Sequence, residues 1–277
     1  MGVGGWYQLI IGQNSVELEG KIRALRDLMA KGEAKVVGYV ALIVAAEITT
    51  VLINPGFGVF SHLVVLTALL IHSSLAASTS ARLILLPLAL GPLTRILSLA
   101  MPLNLLQPIS SFPLVYIPLF LAAVVVMRNL GLKRSEVGIV RGKLLFQIPI
   151  AVMGIGLGLV EFGILRPPPL AGPLGTGIVL PALILIATTG FVEELVFRGV
   201  LQHALLKELG RRGVIYAAIV FAVLHIGYLS VADVVFVFAV SILFAWARQR
   251  TGSLIGVSIS HGLTNTGLYL VFPSIPF

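Results

Sequence analysis

Long apolar runs dominate the chain, and each is about as long as a helix that crosses a bilayer. Because a helix rises about 1.5 Å per residue, roughly 20 apolar residues span the hydrocarbon core of a membrane. Nine such runs lie at residues 36–53, 59–77, 80–100, 112–128, 144–165, 177–202, 214–230, 232–248 and 254–272. The runs are too long for barrel strands and do not alternate polar with apolar residues. We therefore predict an all-α, polytopic membrane bundle of eight to nine transmembrane helices.

The chain divides into a short N-terminal segment and one large domain. Residues 1–35 mix charged and apolar positions, and they predict an amphipathic segment on the anionic cytoplasmic leaflet. Residues 36–277 form a single predicted transmembrane domain with a motif-bearing core at 177–270. The run at 80–100 is the weakest because it contains Arg95. Eight spans result if that run is re-entrant.

Basic residues occur in every other connection between the runs. They lie in the N-terminal segment and in the second, fourth, sixth and eighth connections, and of the 19 lysines and arginines only Arg95, Arg166 and Arg198 fall elsewhere. Connections rich in lysine and arginine stay on the cytoplasmic side. The pattern predicts an integral, multi-pass membrane protein whose N-terminus and basic loops are cytoplasmic.

Composition narrows the functional classes. Only 11% of the residues are charged, whereas a soluble domain carries roughly 25%. The net charge of +8 is dispersed over short connections, so we expect membrane lipid, and no nucleic acid, as a partner. The chain contains no cysteine, which excludes disulfides, thiolate metal ligands and a cysteine nucleophile.

The apolar runs between residues 177 and 272 contain side chains that lipid-facing structure does not need. An ionisable group inside a bilayer is costly and persists when it is paired, hydrated or used. The polar set comprises Glu193, Glu194, Arg198, His225, His261 and Asn265. Counted from the cytoplasmic ends of their runs, the first glutamate, both histidines and the asparagine lie about 10–17 Å deep. Three separate runs thus place polar groups at a similar depth in the membrane, as a shared site requires.

The spacing of the two glutamates gives them different partners. Glu194 and Arg198 are four residues apart and can pair on one helix face, which leaves Glu193 without a cation on its own face. Adjacent acids with unequal partners suit one of them to act as a base. The alternative interpretation of the Glu194–Arg198 pair is a purely structural ion pair.

Each of the two apolar runs that contain His225 and His261 also allows two interpretations. Phe221 precedes His225 by four residues and places an aromatic ring beside the imidazole, although a lone histidine in an apolar helix is often a hydrogen-bonded packing residue. His261 and Asn265 are again four residues apart, so both could donate to a developing oxyanion. The alternative is an interhelical polar clamp.

Other intramembrane chemistries lack the residues they need. The sequence has no H-E-x-x-H zinc motif, no G-x-S-x-G nucleophile elbow and a single aspartate, Asp233, in its last hundred residues. Glutamate and histidine are the groups that remain. Glycines at alternate positions in the fifth run predict close helix packing at Gly154, Gly156 and Gly158.

At these residues the sequence resembles the CAAX-protease and bacteriocin-processing family of intramembrane proteases, which includes the type II CAAX prenyl endopeptidase. The three motifs of the family stand here as Glu193-Glu194-x-x-x-Arg198, Phe221-x-x-x-His225 and His261-x-x-x-Asn265. They occur in order within residues 177–270. The resemblance implies that residues 36–277 are a protease-like transmembrane domain.

The resemblance also implies roles for the catalytic residues. Glu193 and His225 would activate a water for attack on a peptide carbonyl. His261 and Asn265 would hold the oxyanion of the tetrahedral intermediate.

Supporting residues and a possible metal follow from the same resemblance. Glu194, Arg198 and Phe221 would support the catalytic residues. The first glutamate and the two histidines could ligate zinc, but a glutamate-activated water needs no metal, and the sequence offers no second acid that would orient both histidines. We favour a site without a metal or another cofactor.

The function predicted in this way is that of an intramembrane endopeptidase acting on a lipidated or membrane-associated peptide or protein. It would remove the C-terminal tripeptide of prenylated CAAX proteins or process a membrane-associated peptide. The first alternative is a non-catalytic membrane scaffold or bacteriocin-immunity protein on the same fold. The second is a cation or proton relay through Glu47, Glu161 and the Glu193 cluster.

Overall fold

A computed structural model describes residues 32–101, 108–170 and 176–275 of the chain. The described part is 85% helical and contains no strand, which confirms the all-α prediction. Its helices are α1 (Gly32–Leu52), α2 (Pro55–Leu75), α3 (Thr79–Ala100), α4 (Pro108–Asn129), α5 (Leu144–Leu165), α6 (Val179–Leu209), α7 (Arg211–Val223), α8 (Val231–Thr251) and α9 (Ile255–Thr266). All but the last few residues of the predicted amphipathic segment 1–35 lie outside this part, and those few begin α1.

Eight of the described helices are long and apolar enough to cross a bilayer, and the chain is an integral, multi-pass membrane protein. They are α1 to α8, with α7 continued through the 3-10 turn Ile226–Tyr228. The run containing Arg95 is therefore a spanning candidate like its neighbours. The ninth predicted run does not form a helix of spanning length. Helix α9 has 12 α-helical residues, followed by the five-residue π-helical segment Gly267–Val271.

Three of the spanning helices begin at polar caps that the sequence places in the connections. The side chains of Asn54, Ser78 and Ser230 each accept a hydrogen bond from the backbone N–H three residues further on, at 3.0–3.2 Å. Caps of this kind satisfy N–H groups that have no partner within the helix. The helices α2, α3 and α8 therefore start where an apolar run meets a capping residue.

The basic connections meet at one end of the bundle. Arg212 at the start of α7 lies 2.5 Å from the Glu33 carboxylate in the first turn of α1. Glu136, in the connection between α5 and the preceding helix, lies 3.9 Å from His203 near the end of α6. The backbone carbonyl of Glu136 also accepts a hydrogen bond from Arg248 at the end of α8. Contacts among these connections agree with the predicted topology, and the assignment of this end to the cytoplasm stays a prediction.

Glycine lets α9 lie unusually close to its neighbours. A Cβ atom added at Gly154 or Gly158 of α5 would lie 2.0 Å or 2.5 Å from a backbone oxygen of α9. A Cβ atom added at Gly190 of α6 would lie 2.5 Å from the carbonyl oxygen of Ser258. Small residues four apart allow helix backbones to approach in this way. Helix α9, which carries two of the predicted catalytic residues, is therefore held between α5 and α6 by backbone contact.

We expect Gly154→Ala to destabilise the protein and Gly156→Ala to leave its stability unchanged or slightly raised. Gly156 has no other atom within 4 Å of the position of an added Cβ, so it is a matched control two residues away. The difference should be about 1–3 kcal/mol in the free energy of unfolding, because overpacking forces the two backbones apart. Thermal unfolding of both variants in detergent measures it. Equal unfolding temperatures would contradict the proposed close contact.

Candidate active site

The four predicted catalytic residues line one cavity of about 100 Å³ that is walled by α4 to α9. Glu193, His225, His261 and Asn265 all face this space, and the Phe221 ring lies beside them. Residues from α6, α9 and the turn after α7 thus meet at one level of the bundle, as the depth argument predicts. The structure brings the residues together, and their chemical roles stay predictions.

Helix α6 leaves the α-helical geometry at the motif. Its segments Ile186–Glu193 and Leu195–Leu201 are π-helical, with Glu194 between them. A π-helical turn is rare and costs good hydrogen-bond geometry, and it occurs mostly at functional sites. The first π-helical segment includes Gly190, where α6 touches α9. The two carboxylates of the motif therefore lie on a helix whose backbone is π-helical on both sides of Glu194.

Glu194 joins two of the predicted motifs. Its Oε1 atom lies 2.9 Å from Nδ1 of His261 and 3.0 Å from a guanidinium nitrogen of Arg198. Both Glu194 and Arg198 are buried. The guanidinium also lies 4.1 Å from the centre of the Phe221 ring, which is a favourable cation–π distance. The predicted pair between Glu194 and Arg198 is thus present, and it also holds His261 in place.

The hydrogen bonds of the two histidines assign their protons. A carboxylate oxygen only accepts hydrogen bonds. The Nδ1 atom of His261 therefore carries a proton and donates a hydrogen bond to Glu194. The Nε2 atom of His261 then lies 3.8 Å from the Glu193 carboxylate. In the same way, Nδ1 of His225 donates to the carbonyl oxygen of Phe221 at 2.9 Å. This bond leaves Nε2 of His225 as the acceptor on its ring.

His225 does not sit inside a continuous helix as the predicted run 214–230 implies. Helix α7 ends at Val223, and His225 immediately precedes the 3-10 turn Ile226–Tyr228. The Phe221 ring still lies 4.9 Å from the imidazole, since the chain stays helical up to that point. The histidine is therefore carried by a turn, where its orientation depends on a backbone carbonyl and on aromatic neighbours.

Glu193 has different partners from those of Glu194, as the spacing predicts. Its carboxylate accepts a hydrogen bond from the Tyr116 hydroxyl of α4 and lies near His261 of α9. Both contacts come from other helices and neither is made by Arg198, which pairs with Glu194. The two adjacent acids thus separate into one that is neutralised by a cation and one that faces the cavity.

Asn265 lines the cavity and makes no hydrogen bond to another described residue. The interpretation of His261 and Asn265 as an interhelical clamp therefore applies only to His261, which bonds to α6. A carboxamide on a cavity wall without a protein partner is available to a ligand.

Sequence reasoning missed several polar residues of the cavity wall. Tyr116, Tyr228 and Tyr269 all line it, and the last two are joined through their hydroxyl groups at 2.9 Å. Glu161 of α5, which the sequence analysis names only in the relay alternative, also lines the cavity. Tyrosine is common near membrane interfaces, so nothing in the local pattern distinguishes these three residues. Only their positions across the bundle show that they share the site.

The donor set for a metal is incomplete in the described part of the chain. No group of three histidine, aspartate or glutamate side chains is arranged to hold an ion there. Glu194 orients His261, whereas the backbone carbonyl group of Phe221 orients His225, so no described acid orients both histidines. The metal-free interpretation of the site stays a prediction.

We expect Glu194→Gln to lower stability far more than Glu193→Gln. The glutamine at 194 can still accept from His261 but leaves Arg198 buried without a counter-charge, which costs about 3–5 kcal/mol. The adjacent substitution removes no partner of Arg198 and is the matched control. Thermal unfolding of the two variants in the same detergent is the measurement. A similar loss in both would mean that Glu194 does not neutralise Arg198.

Comparison with known proteins gives one match. Residues 175–267 match the family model described as Type II CAAX prenyl endopeptidase Rce1-like. No curated protein and no solved structure matches the chain. The matched segment begins before α6 and ends just after α9, so it contains all three motifs, while α1 to α5 lie outside it. The resemblance predicted from the motifs is thereby confirmed, and at the level of the family the match supports an intramembrane protease of the CAAX type.

Proposed function

We propose that this protein is an endopeptidase in which Glu193 and His225 activate a water molecule within the membrane. The observation that carries the proposal is the shared cavity, whose wall holds three suitable groups. They are a carboxylate that does not pair with Arg198, an imidazole with an unprotonated nitrogen and a carboxamide that bonds to no other described residue. A general base of this kind contributes about 100- to 10,000-fold to the rate.

The geometry supports a sequence of proton transfers that begins with water. The carboxylate of Glu193 takes a proton while the oxygen of the water forms a bond to the peptide carbonyl carbon. His225 accepts a hydrogen bond from the same water through Nε2. The proton then passes from Glu193 to the nitrogen of the leaving amine as the carbon–nitrogen bond breaks. Tyr116 keeps the Glu193 carboxylate oriented during these steps, because its hydroxyl donates to one carboxylate oxygen.

The oxyanion of the tetrahedral intermediate would lie between His261 and Asn265. The carboxamide of Asn265 donates through its NH2 group, and His261 donates from Nε2 when its ring carries both protons. Glu194 accepts from the other ring nitrogen and fixes the ring. Donors that are oriented before the reaction are worth about 100- to 1,000-fold each in rate. The buried pair of Glu194 and Arg198 supports this side of the site.

We propose a lipidated or membrane-associated peptide as the substrate. Part of the cavity wall is apolar and aromatic and comes from α8, with Phe236, Val237, Val240 and Phe244. Such a wall accepts an apolar chain, as ligand pockets generally do. A farnesylated CAAX peptide has this chemistry, and the family match favours it. We propose that the reaction needs no metal and that the site opens towards the cytoplasmic leaflet.

We expect Glu193→Gln to lower cleavage of a farnesylated CAAX peptide at least 100-fold, since the water then lacks its base. Purified protein in liposomes and mass spectrometry of the products give the rate, with a chelator in a parallel reaction. Glu136→Gln, in a connection far from the cavity, is the matched control and should cleave normally. Wild-type activity in the Glu193 variant would overturn the mechanism.

Two other outcomes of that experiment are informative. Activity that is lost with chelator and restored by zinc would replace the metal-free mechanism with a metal-dependent one. Cleavage by none of the proteins, together with retained function of the Glu193 variant in cells, would favour the scaffold or immunity interpretation. The relay interpretation loses support because Glu47 is paired with His62 and Arg95 and does not line the cavity.

We expect Tyr116→Phe to reduce kcat about 10-fold and to change KM little. The substitution removes the hydroxyl donor to Glu193 and keeps the ring, and a hydrogen bond to a charged group is worth about 1.5–3 kcal/mol. Tyr39→Phe is the control, since its hydroxyl bonds to His72 and Ala68 between α1 and α2. Steady-state kinetics on the same peptide distinguish the two. An unchanged kcat in the Tyr116 variant would show that Glu193 needs no such donor.

A further inference from the structure

A second cavity, of about 380 Å³, adjoins the first and has a cation in its wall. Five residues line both spaces, namely Tyr116, Glu193, Phe221, His225 and Tyr228. The wall that belongs only to the second cavity includes Arg95, Ser98 and Leu99 of α3. The proposed base and histidine thus face Arg95 across one connected space.

Arg95 is held by two buried residues that do not line the cavity, Glu47 and His62. Its Nε atom donates to Oε1 of Glu47 at 2.5 Å, and the same oxygen lies 3.1 Å from Nε2 of His62. Glu47 and His62 are fully buried, while the Arg95 side chain is 15% exposed. The carboxylate is therefore shared between two partners, and the guanidinium is fixed through one nitrogen only.

One Nη atom of the guanidinium lies near the turn that follows His225. A Cβ atom added at Gly227 would lie 3.2 Å from an Nη atom of Arg95. The described hydrogen bonds and ion pairs of Arg95 use Nε alone. A donor nitrogen of Arg95 thus lies near the turn after α7, and the Arg95 side chain lines a cavity beside the proposed reaction centre.

The ion pair with Glu47 uses only Nε of Arg95. It does not explain why the same side chain also lines the second cavity, with an Nη atom near Gly227 of the turn after α7. A cation within the membrane is costly, and such residues generally mark a functional site. The planar guanidinium fork matches a carboxylate better than any other anion-binding side chain does.

We propose that Arg95 binds the C-terminal carboxylate of the peptide substrate. The inference rests on the proposed endopeptidase function and adds to it the feature of the substrate that is recognised, a free chain end. An extended peptide advances about 3.3–3.6 Å per residue, so a carboxylate three residues beyond the scissile bond lies roughly 10 Å from it. A cation at a fixed position in the connected cavity selects peptides that are cut near the C-terminus. It disfavours internal segments, which have no terminal charge.

The test compares one farnesylated peptide as the free acid and as the C-terminal amide. We expect wild-type protein to cleave the acid with a kcat/KM at least 10-fold higher, mainly through KM, since the amide has no charge for Arg95. Arg95→Gln should bring the acid-to-amide ratio to about one, and Arg95→Lys should retain part of the preference. Arg212→Gln is the matched control, because Arg212 pairs with Glu33 and lines neither cavity. It should leave the ratio unchanged.

The ratio separates recognition from a structural role. If Arg95→Gln lowered cleavage of acid and amide in parallel, Arg95 would act through the fold and the inference would be overturned. Equal cleavage of the two peptides by wild-type protein would also overturn it, while the endopeptidase function would stand. Cleavage of neither peptide by wild-type protein would remove the proposed function and this inference with it. The comparison of peptides on wild-type protein needs no variant, so it holds even if Arg95→Gln fails to fold.

Discussion

The buried contact of Glu194 with Arg198 and His261 is the interaction on which the rest of the site depends. A guanidinium without solvent needs a counter-charge, and Glu194 supplies it within its own helix. The same oxygen holds Nδ1 of His261, so one carboxylate couples α6 to α9. Because Glu194 is occupied in this way, Glu193 is the acid left to face the cavity. Neutralisation of a buried cation thus determines which of two adjacent glutamates is left to face the cavity.

Close backbone approach makes that contact possible. Helix α9 lies between α5 and α6 at distances that exclude a Cβ atom at Gly154, Gly158 and Gly190. Its short length follows from the same packing, since a helix rich in glycine, serine and threonine lies against its neighbours rather than against lipid. The π-helical segments of α6 sit at this interface. The π-helical segments and the contact of Glu194 with His261 therefore lie at the same interface, between α6 and α9.

The N-terminal half contributes to the site from outside the segment that matches the family. Tyr116 of α4 donates to Glu193, and Glu161 of α5 lines the same cavity. Arg95 of α3 lies in the adjoining wall with its own buried anchor. The motif-bearing helices carry the groups proposed for chemistry, whereas α3, α4 and α5 contribute to the walls of the two cavities. Differences in specificity among proteins that share the motifs can thus arise in helices that the motifs do not include.

Local spacing in the sequence was sufficient to predict the eight spanning candidates, the pairing of Glu194 with Arg198 and the meeting of three motifs at one site. These features depend on helix periodicity, on run length and on the cost of charge in lipid, all of which act over a few residues. The role of Tyr116 and the position of Arg95 depend on which helices touch. The sequence marked Arg95 only as a cation outside the topology pattern. Tertiary structure decided its place, because contacts between helices far apart in the chain follow from packing, which no single segment encodes.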